Sequence, residues 1–349
     1  MLKIINRHNR QNGFTLLELM ISLVLALIMA GSILVAYSNT RISFIFSNNV
    51  SQLQESGRFS LNMMSEDIRL AGYWGINVWP SLVNQSDVSS LNMSCGAAGW
   101  ITDMSIPINV LNDPDDSDLP SCINSANHVN GTDIIMVRHA GIPLDSVNDI
   151  VHNEVYFHSG MFNSSVFKAA ADDEIDTAAD FSEPPVTIVY PFETHIYYVR
   201  PCSQPNTGSD TDNLCDADDD DGTPIPTLIR QTLSAGVMSP EGIAQYVENM
   251  QIILGEDSDD DGAVDVLGNA SGVSEWDDVR SVDISLLVRA PIVSAGYLEN
   301  IDGPKDPLNS NKRGSYTFGG QTILKTDNYR RRLYSNTISL QNQPSFNEY

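Results

Sequence analysis

The chain has 349 residues, 42% of them hydrophobic, enough for one large domain or two small ones with a packed core. Its formal net charge is −26, from 45 acidic against 19 basic side chains. Such an excess argues against nucleic acid and anionic lipid as partners of the soluble part, and it favours solubility or a bound cation.

The chain opens on a short polar stretch, Met1 to Gly13, with Lys3, Arg7 and Arg10 and no acid. An apolar run from Phe14 to Tyr37 follows and carries a single charge, Glu18. That length crosses a bilayer core of roughly 30 Å as a helix. The basic leader keeps the cytoplasmic side by the positive-inside rule. A secretory signal has an apolar region of about 7–15 residues with a small-residue cut site behind it, and this run is longer. A lone carboxylate in the membrane costs about 2.5–3.5 kcal/mol on insertion scales, so Glu18 needs a partner.

The string Gly13-Phe14-Thr15-Leu16-Leu17-Glu18 resembles the class III signal of type IV pilins and pseudopilins. The resemblance implies a cut between Gly13 and Phe14 by a prepilin peptidase on the cytoplasmic face. It also implies N-methylation of the new Phe14 amine and retention of the apolar run. Without Lys3, Arg7 and Arg10 the net charge moves from −26 to −29. By the same resemblance, Glu18 pairs with the Phe14 ammonium of a neighbouring subunit and sets register in the filament. Each charge there offsets the desolvation of the other.

Beyond Tyr37, apolar residues recur at Ile42, Phe46, Val50, Leu53, Leu61, Met64 and Ile68, a helical spacing. No proline occurs before Trp79. One helix from Phe14 to about Leu70 is therefore expected, apolar all round in its first half and amphipathic in its second. Gly31 and Gly57 are places where it could bend, and Ala71-Gly72 is a plausible stop.

From Trp79 to about Asn130 the chain is turn-rich, and loop with short elements is expected. Strand candidates are Asp133–Arg138, Glu154–His158, Pro185–Tyr190, His195–Arg200, Thr227–Gln231, Met250–Gly255, Val282–Arg289, Gln321–Lys325 and Leu333–Leu340. In the seventh of these, Ile284, Leu286 and Val288 point to one side. Acidic loops lie between strands at Asp172–Asp180, Ser209–Gly222 and Glu256–Asp265, and Lys305–Tyr316 is a polar basic loop. The fold class expected is α+β, a long N-terminal helix packed on an antiparallel sheet domain. The expected organisation is a leader over 1–13, a transmembrane half-helix over 14–37, an amphipathic half-helix over 38–72 and an extracytoplasmic β-rich domain over 73–349.

There are four cysteines, Cys95, Cys122, Cys202 and Cys215, with no CxxC and no zinc spacing. Outside the inner membrane, disulfides are the natural use. Three connectivities are open to four cysteines. Nearest-neighbour pairing, Cys95 with Cys122 and Cys202 with Cys215, would close two polar loops that have little apolar content to hold them.

The segment Asp257-Ser258-Asp259-Asp260-Asp261-Gly262-Ala263-Val264-Asp265 has the pattern of the front of a calcium loop. Asp257, Asp259, Asp261 and Asp265 would offer carboxylates, Ala263 its carbonyl, and Gly262 the sharp turn. The twelfth place is Gly268 rather than a glutamate, so the segment is not a full EF-hand. Asp216 to Gly222 is a second acidic run with its glycine one place late. His128, His139, His152, His158 and His195 form no HExxH, and there is no Walker loop and no GxGxxG. Tyr197, Tyr198, Trp276 and Trp100 are expected to pack. No catalytic residue is proposed, and a structural protein is expected rather than an enzyme.

Further strings narrow the resemblance. Gln54-Glu55-Ser56-Gly57-Arg58-Phe59-Ser60-Leu61 and Asp67-Ile68-Arg69-Leu70-Ala71-Gly72-Tyr73 look like the PilW family of minor pilins. So do Gly131 to Arg138, Tyr197-Tyr198-Val199, Val247 to Gln251, Val282 to Arg289 and Arg331 to Thr337. Relatives often carry a cysteine close after the Ala-Gly-Tyr string, whereas here Gly75 is followed by Ile76. The resemblance implies a minor pilin in the priming or tip complex of a type IV pilus, needed for twitching motility. Its partners would be other minor pilins, the major pilin, the prepilin peptidase and the pilus assembly platform, with no nucleic acid. It would be a single-pass inner-membrane protein with a periplasmic domain, later part of the pilus at the cell surface. A minor pseudopilin of type II secretion, and a calcium-dependent adhesin on a pilin stem, are the alternatives.

Overall fold

The structure is a computed structural model that describes residues 13–76, 83–84, 95, 100–146, 149–160, 164–169, 188–205, 212–291, 314–325, 327 and 329–342. The leader cations, the acidic loop Asp172–Asp180 and most of the basic loop Lys305–Tyr316 lie outside these residues, as does the side chain of Trp100. The chain divides into two units, Met1–Ser51 and Gln52–Tyr349.

Helix α1, Leu16–Leu70, begins in the first unit and ends in the second. Its N-terminal part is long and apolar enough to cross a membrane. It stops where the sequence suggests: Gly72 follows with φ +75, a left-handed backbone that glycine enters without a Cβ penalty. Gly57 lies within the continuous helix. A Cβ there would lie 2.7 Å from Cγ of Tyr334, so glycine lets α1 approach a neighbouring strand closely.

The second unit contains β1 (Val83–Asn84), β2 (Ile108–Leu111), β3 (Ile134–Ala140), β4 (Val155–Ser159), β5 (Ser164–Lys168), β6 (Ile188–Arg200), β7 (Thr227–Ser234), β8 (Val237–Gln245), β9 (Val247–Glu256), β10 (Val266–Gly268), β11 (Val279–Arg289), β12 (Ser315–Phe318), β13 (Gln321–Leu324) and β14 (Arg331–Ser339). An eight-stranded sheet runs β1-β5-β4-β6-β3-β2, with β7 joined to β6 and β8 to β7. A second sheet runs β10-β9-β11-β14, and β12 with β13 forms a hairpin. The pairings are antiparallel except that of β1 with β5. The expected α+β class is thus the observed one.

One expectation is corrected here. The candidates Pro185–Tyr190 and His195–Arg200 are not two strands, and residues 185–187 lie outside the described ones. They belong to β6, which pairs with β4 from Ile188 to Pro191, with β3 from Phe192 to Tyr197 and with β7 from His195 to Arg200. Pro191 removes one ladder donor but does not end the strand.

Strands β3 and β6 are buried on both faces, and the period of two sorts their side chains. Ile135, Val137, Tyr197 and Val199 join a core with Leu53, Leu61, Met64 and Ile68 of α1 and Val282, Ile284, Leu286 and Val288 of β11. Ile134, Met136, Ile196 and Tyr198 face the other way, into a second core with Trp74, Ile101, Met104 and Phe157. The amphipathic end of α1 therefore closes one side of a sheet domain, as its heptad-like spacing requires.

Candidate functional site

The backbone N–H of Glu18 donates to Thr15 Oγ1 at 3.2 Å, and the Thr15 N–H and hydroxyl donate to Glu18 Oε2 at 3.4 Å. This is a capping box, in which a threonine and the residue three places on satisfy each other's free donors. It explains how a carboxylate stands at the foot of an apolar rod: it accepts from its own helix start and sits at the positive end of the dipole. Thr15-x-x-Glu18 is legible in the sequence as a capping signal.

Phe14 is 85% exposed, and among the described residues nothing lies within 4 Å of a Cβ placed on Gly13. The Gly13–Phe14 bond is thus open just ahead of the helix. From Phe14 to Tyr37 every large apolar side chain is at least 53% exposed. Water does not tolerate so long an apolar surface uncovered, so lipid or other helices must cover it.

The acidic segment at 257–265 forms the turn between β9 and β10, with Val266 paired to Glu256. Asp257 is fully buried; it accepts from the N–H groups of Asp261 at 3.2 Å and Gly262 at 3.0 Å, and from Arg280 Nε at 3.3 Å. Asp265 accepts from the Ser258 N–H and hydroxyl, each at 2.9 Å. Oxygens of Asp257, Asp259 and Asp265 lie within 4.8 Å of one another. The carboxylates of Asp261 and Asp265 push the Asp259 pKa up, the mark of crowded negative charge. Asp261 instead accepts the Ala263 N–H at 2.8 Å. Gly268 is paired with Leu254 inside β10, so no acid reaches the loop from its twelfth place. The donor set, hard oxygens clustered on a turn, fits a calcium ion in kind.

The second acidic run is spent on the protein itself. Asp220 accepts from the N–H and hydroxyl of Ser203 and from the N–H of Ile225, and so ties two loops together. The disulfides are Cys95–Cys122 and Cys202–Cys215, the nearest-neighbour pairing, and the described residues hold no free cysteine. Tyr197 and Tyr198 pack in the two cores, and Trp276 packs against the first.

Sequence reading missed two histidines. His139 and His195 are not lone residues: both meet Asp67, which lies 72 and 128 positions away. No local spacing signals such a contact.

Residues 8–34 match the family model of the prokaryotic N-terminal methylation motif. With the capped apolar helix behind Phe14, this match supports a class, that of prepilins, and the helix is long and apolar enough to serve as a membrane anchor. Residues 214–342 match the family model described as Type IV Pilus-assembly protein W. That stretch covers β7 to β14 and three of the strings noted above, at Val247, Val282 and Arg331. Together the two matches support a PilW-type prepilin, a pilin of the type IV pilus. No curated protein and no solved structure matches the chain significantly.

Proposed function

We propose that the chain is a minor pilin that primes type IV pilus assembly and sits in the tip complex, with a structural and not a catalytic part. The precursor enters the inner membrane with its β-rich domain in the periplasm, a peptidase frees Phe14, and the helix then packs beside those of other minor pilins and the major pilin on the assembly platform. The observation that carries this reading is Glu18, the single charge of the apolar run, set just behind the exposed Gly13–Phe14 bond. In the free subunit its carboxylate has its own capping donors; in the filament a neighbour's ammonium takes that place. A domain of nearly 300 residues, Gln52–Tyr349, is bulky for a thin shaft and suits a tip.

A deletion strain tests the reading. Loss of surface pili and of twitching supports it; intact pili with loss of exoprotein secretion favours the type II pseudopilin. Glu18→Gln should reproduce the deletion while the protein still reaches the membrane.

We also propose that the 257–265 turn takes a calcium ion, on the strength of the crowding at Asp259. Full-length protein in detergent should melt several degrees higher with millimolar calcium, and Asp259→Ala should abolish the shift. Equal melting temperatures with and without calcium dispose of the metal. A calcium-dependent adhesin would in addition need glycan or surface binding that calcium controls.

A further inference from the structure

Asp67, 8% exposed on the buried face of α1, gathers three donors. Its Oδ1 lies 2.8 Å from His139 Nε2 on β3 and 2.8 Å from His195 Nδ1 on β6. Its Oδ2 accepts the Tyr197 hydroxyl at 2.9 Å. The second nitrogen of His139, Nδ1, lies 3.0 Å from the carbonyl oxygen of Ala140.

Counting protons decides the state of His139. A carboxylate and a carbonyl only accept, so both ring nitrogens of His139 must donate. A neutral imidazole has one N–H, so this pair of contacts calls for an imidazolium at His139. For its contact with Asp67, His195 needs a single ring proton. The charged pair is almost wholly buried, with His139 at 2%. The oxygen–nitrogen distance of 2.8 Å is hydrogen-bond contact, whereas ligands around a tetrahedral zinc with bonds of about 2.0–2.1 Å stand roughly 3.3 Å apart.

We propose that Asp67, His139 and His195 form a protonation-dependent clamp that fastens the C-terminal half of α1 to β3 and β6 while His139 keeps its proton, and slackens when that proton leaves. Other charges face the group. Glu193 of β6 reaches within 3.8 Å of His139 Nε2 and favours the proton. Arg230 of β7 acts electrostatically on the Tyr197 hydroxyl.

The pH sense follows from linkage. Burial works against a charge on His139, but the contact with Asp67 overcomes it and raises the pKa above 6.5. The stability that His139 contributes is therefore complete below about pH 6.5 and is lost as pH rises through the folded value. Burial alone would raise the Asp67 pKa; the hydrogen bonds from His139 and His195 hold it well below the carboxylate range. Its share is present above about pH 3.8 and is lost only as pH falls through that depressed value. The clamp is tightest between those limits and weakens on the alkaline side.

A double-mutant cycle on the full-length protein in detergent tests this, with Asp67→Asn, His139→Gln and both together. Coupling between the two positions should change the unfolding constant about tenfold or more at pH 6 and less than about twofold at pH 9. Ring-labelled histidine in the wild-type protein gives a second readout that needs no stable variant: one imidazole should keep both protons to a higher pH than an ordinary histidine, and its signal should vanish in His139→Gln. Equal coupling at the two pH values, a neutral His139, or a stoichiometric transition metal in the purified protein would each overturn the clamp.

Discussion

Consider Gly57→Ala. In a solvated helix this change stabilises, by up to about 1 kcal/mol. Here the new Cβ would stand 2.7 Å from Cγ of Tyr334 and closer still to the rest of that ring edge. The ring cannot easily give way, because the clash reaches its root at Cγ. Relief must come from lifting α1 off β14, which also strains the 2.8 Å bond from Asn336 Nδ2 to Ser65 Oγ. Overpacking of this kind costs about 1–3 kcal/mol, so after the propensity gain the net loss should be about 1 kcal/mol, and up to about 2. The assay is urea unfolding of full-length protein in detergent. In a Tyr334→Ala background the sign should invert, with Gly57→Ala now stabilising by roughly 0.5–1 kcal/mol. A stabilising effect in the wild-type background, or the same effect in both, would refute the close-approach argument.

Other predictions concern buried charge and cross-links. Arg331, 4% exposed, holds both oxygens of buried Glu248 and also Asp327, so Arg331→Met should cost about 3 kcal/mol in the same assay. Arg289 and Lys325, at 3.7 and 3.8 Å from Glu248, are too distant to replace that fork. Asp133 accepts from the N–H groups of Asp113 and Ile252, and burial pushes its pKa up to about 7. The folded chain thus holds this proton when the unfolded chain has lost it. Stability should fall as pH rises from about 4 to about 7, and Asp133→Asn should flatten that slope. Replacing Cys202 and Cys215 together by serine opens a loop with a sequence separation of 13 and should lower stability by about 3 kcal/mol.

What could be read from the sequence follows from how local each signal is. Strand β11 announces itself, because Ile284, Leu286 and Val288 alternate into one core and nothing breaks the run. The turn at 257–265 and the Thr15–Glu18 box are equally local, each closed within nine residues or fewer. Strand β8 gives no signal: among the described residues it pairs with β7 alone, it carries Pro240 and Gly242, and it is largely exposed on both faces, so backbone bonds rather than side-chain pattern make it a strand. In sequence, strand β6 reads as two stretches on either side of Pro191, although its neighbours pair straight through. The Asp67 cluster lay beyond sequence reading altogether. It exists only once α1 is laid against β3 and β6, and that placement is a product of the whole core.

The proposed role requires that the apolar helix behind Phe14 is kept after processing and is joined to its neighbours through Glu18. Intact-mass and N-terminal fragment spectra of the protein recovered from pili or membranes address this directly. The first residue should be phenylalanine carrying one extra methyl group, with Met1 to Gly13 gone. A mature chain that starts at any other residue, or that lacks the apolar run, contradicts the account.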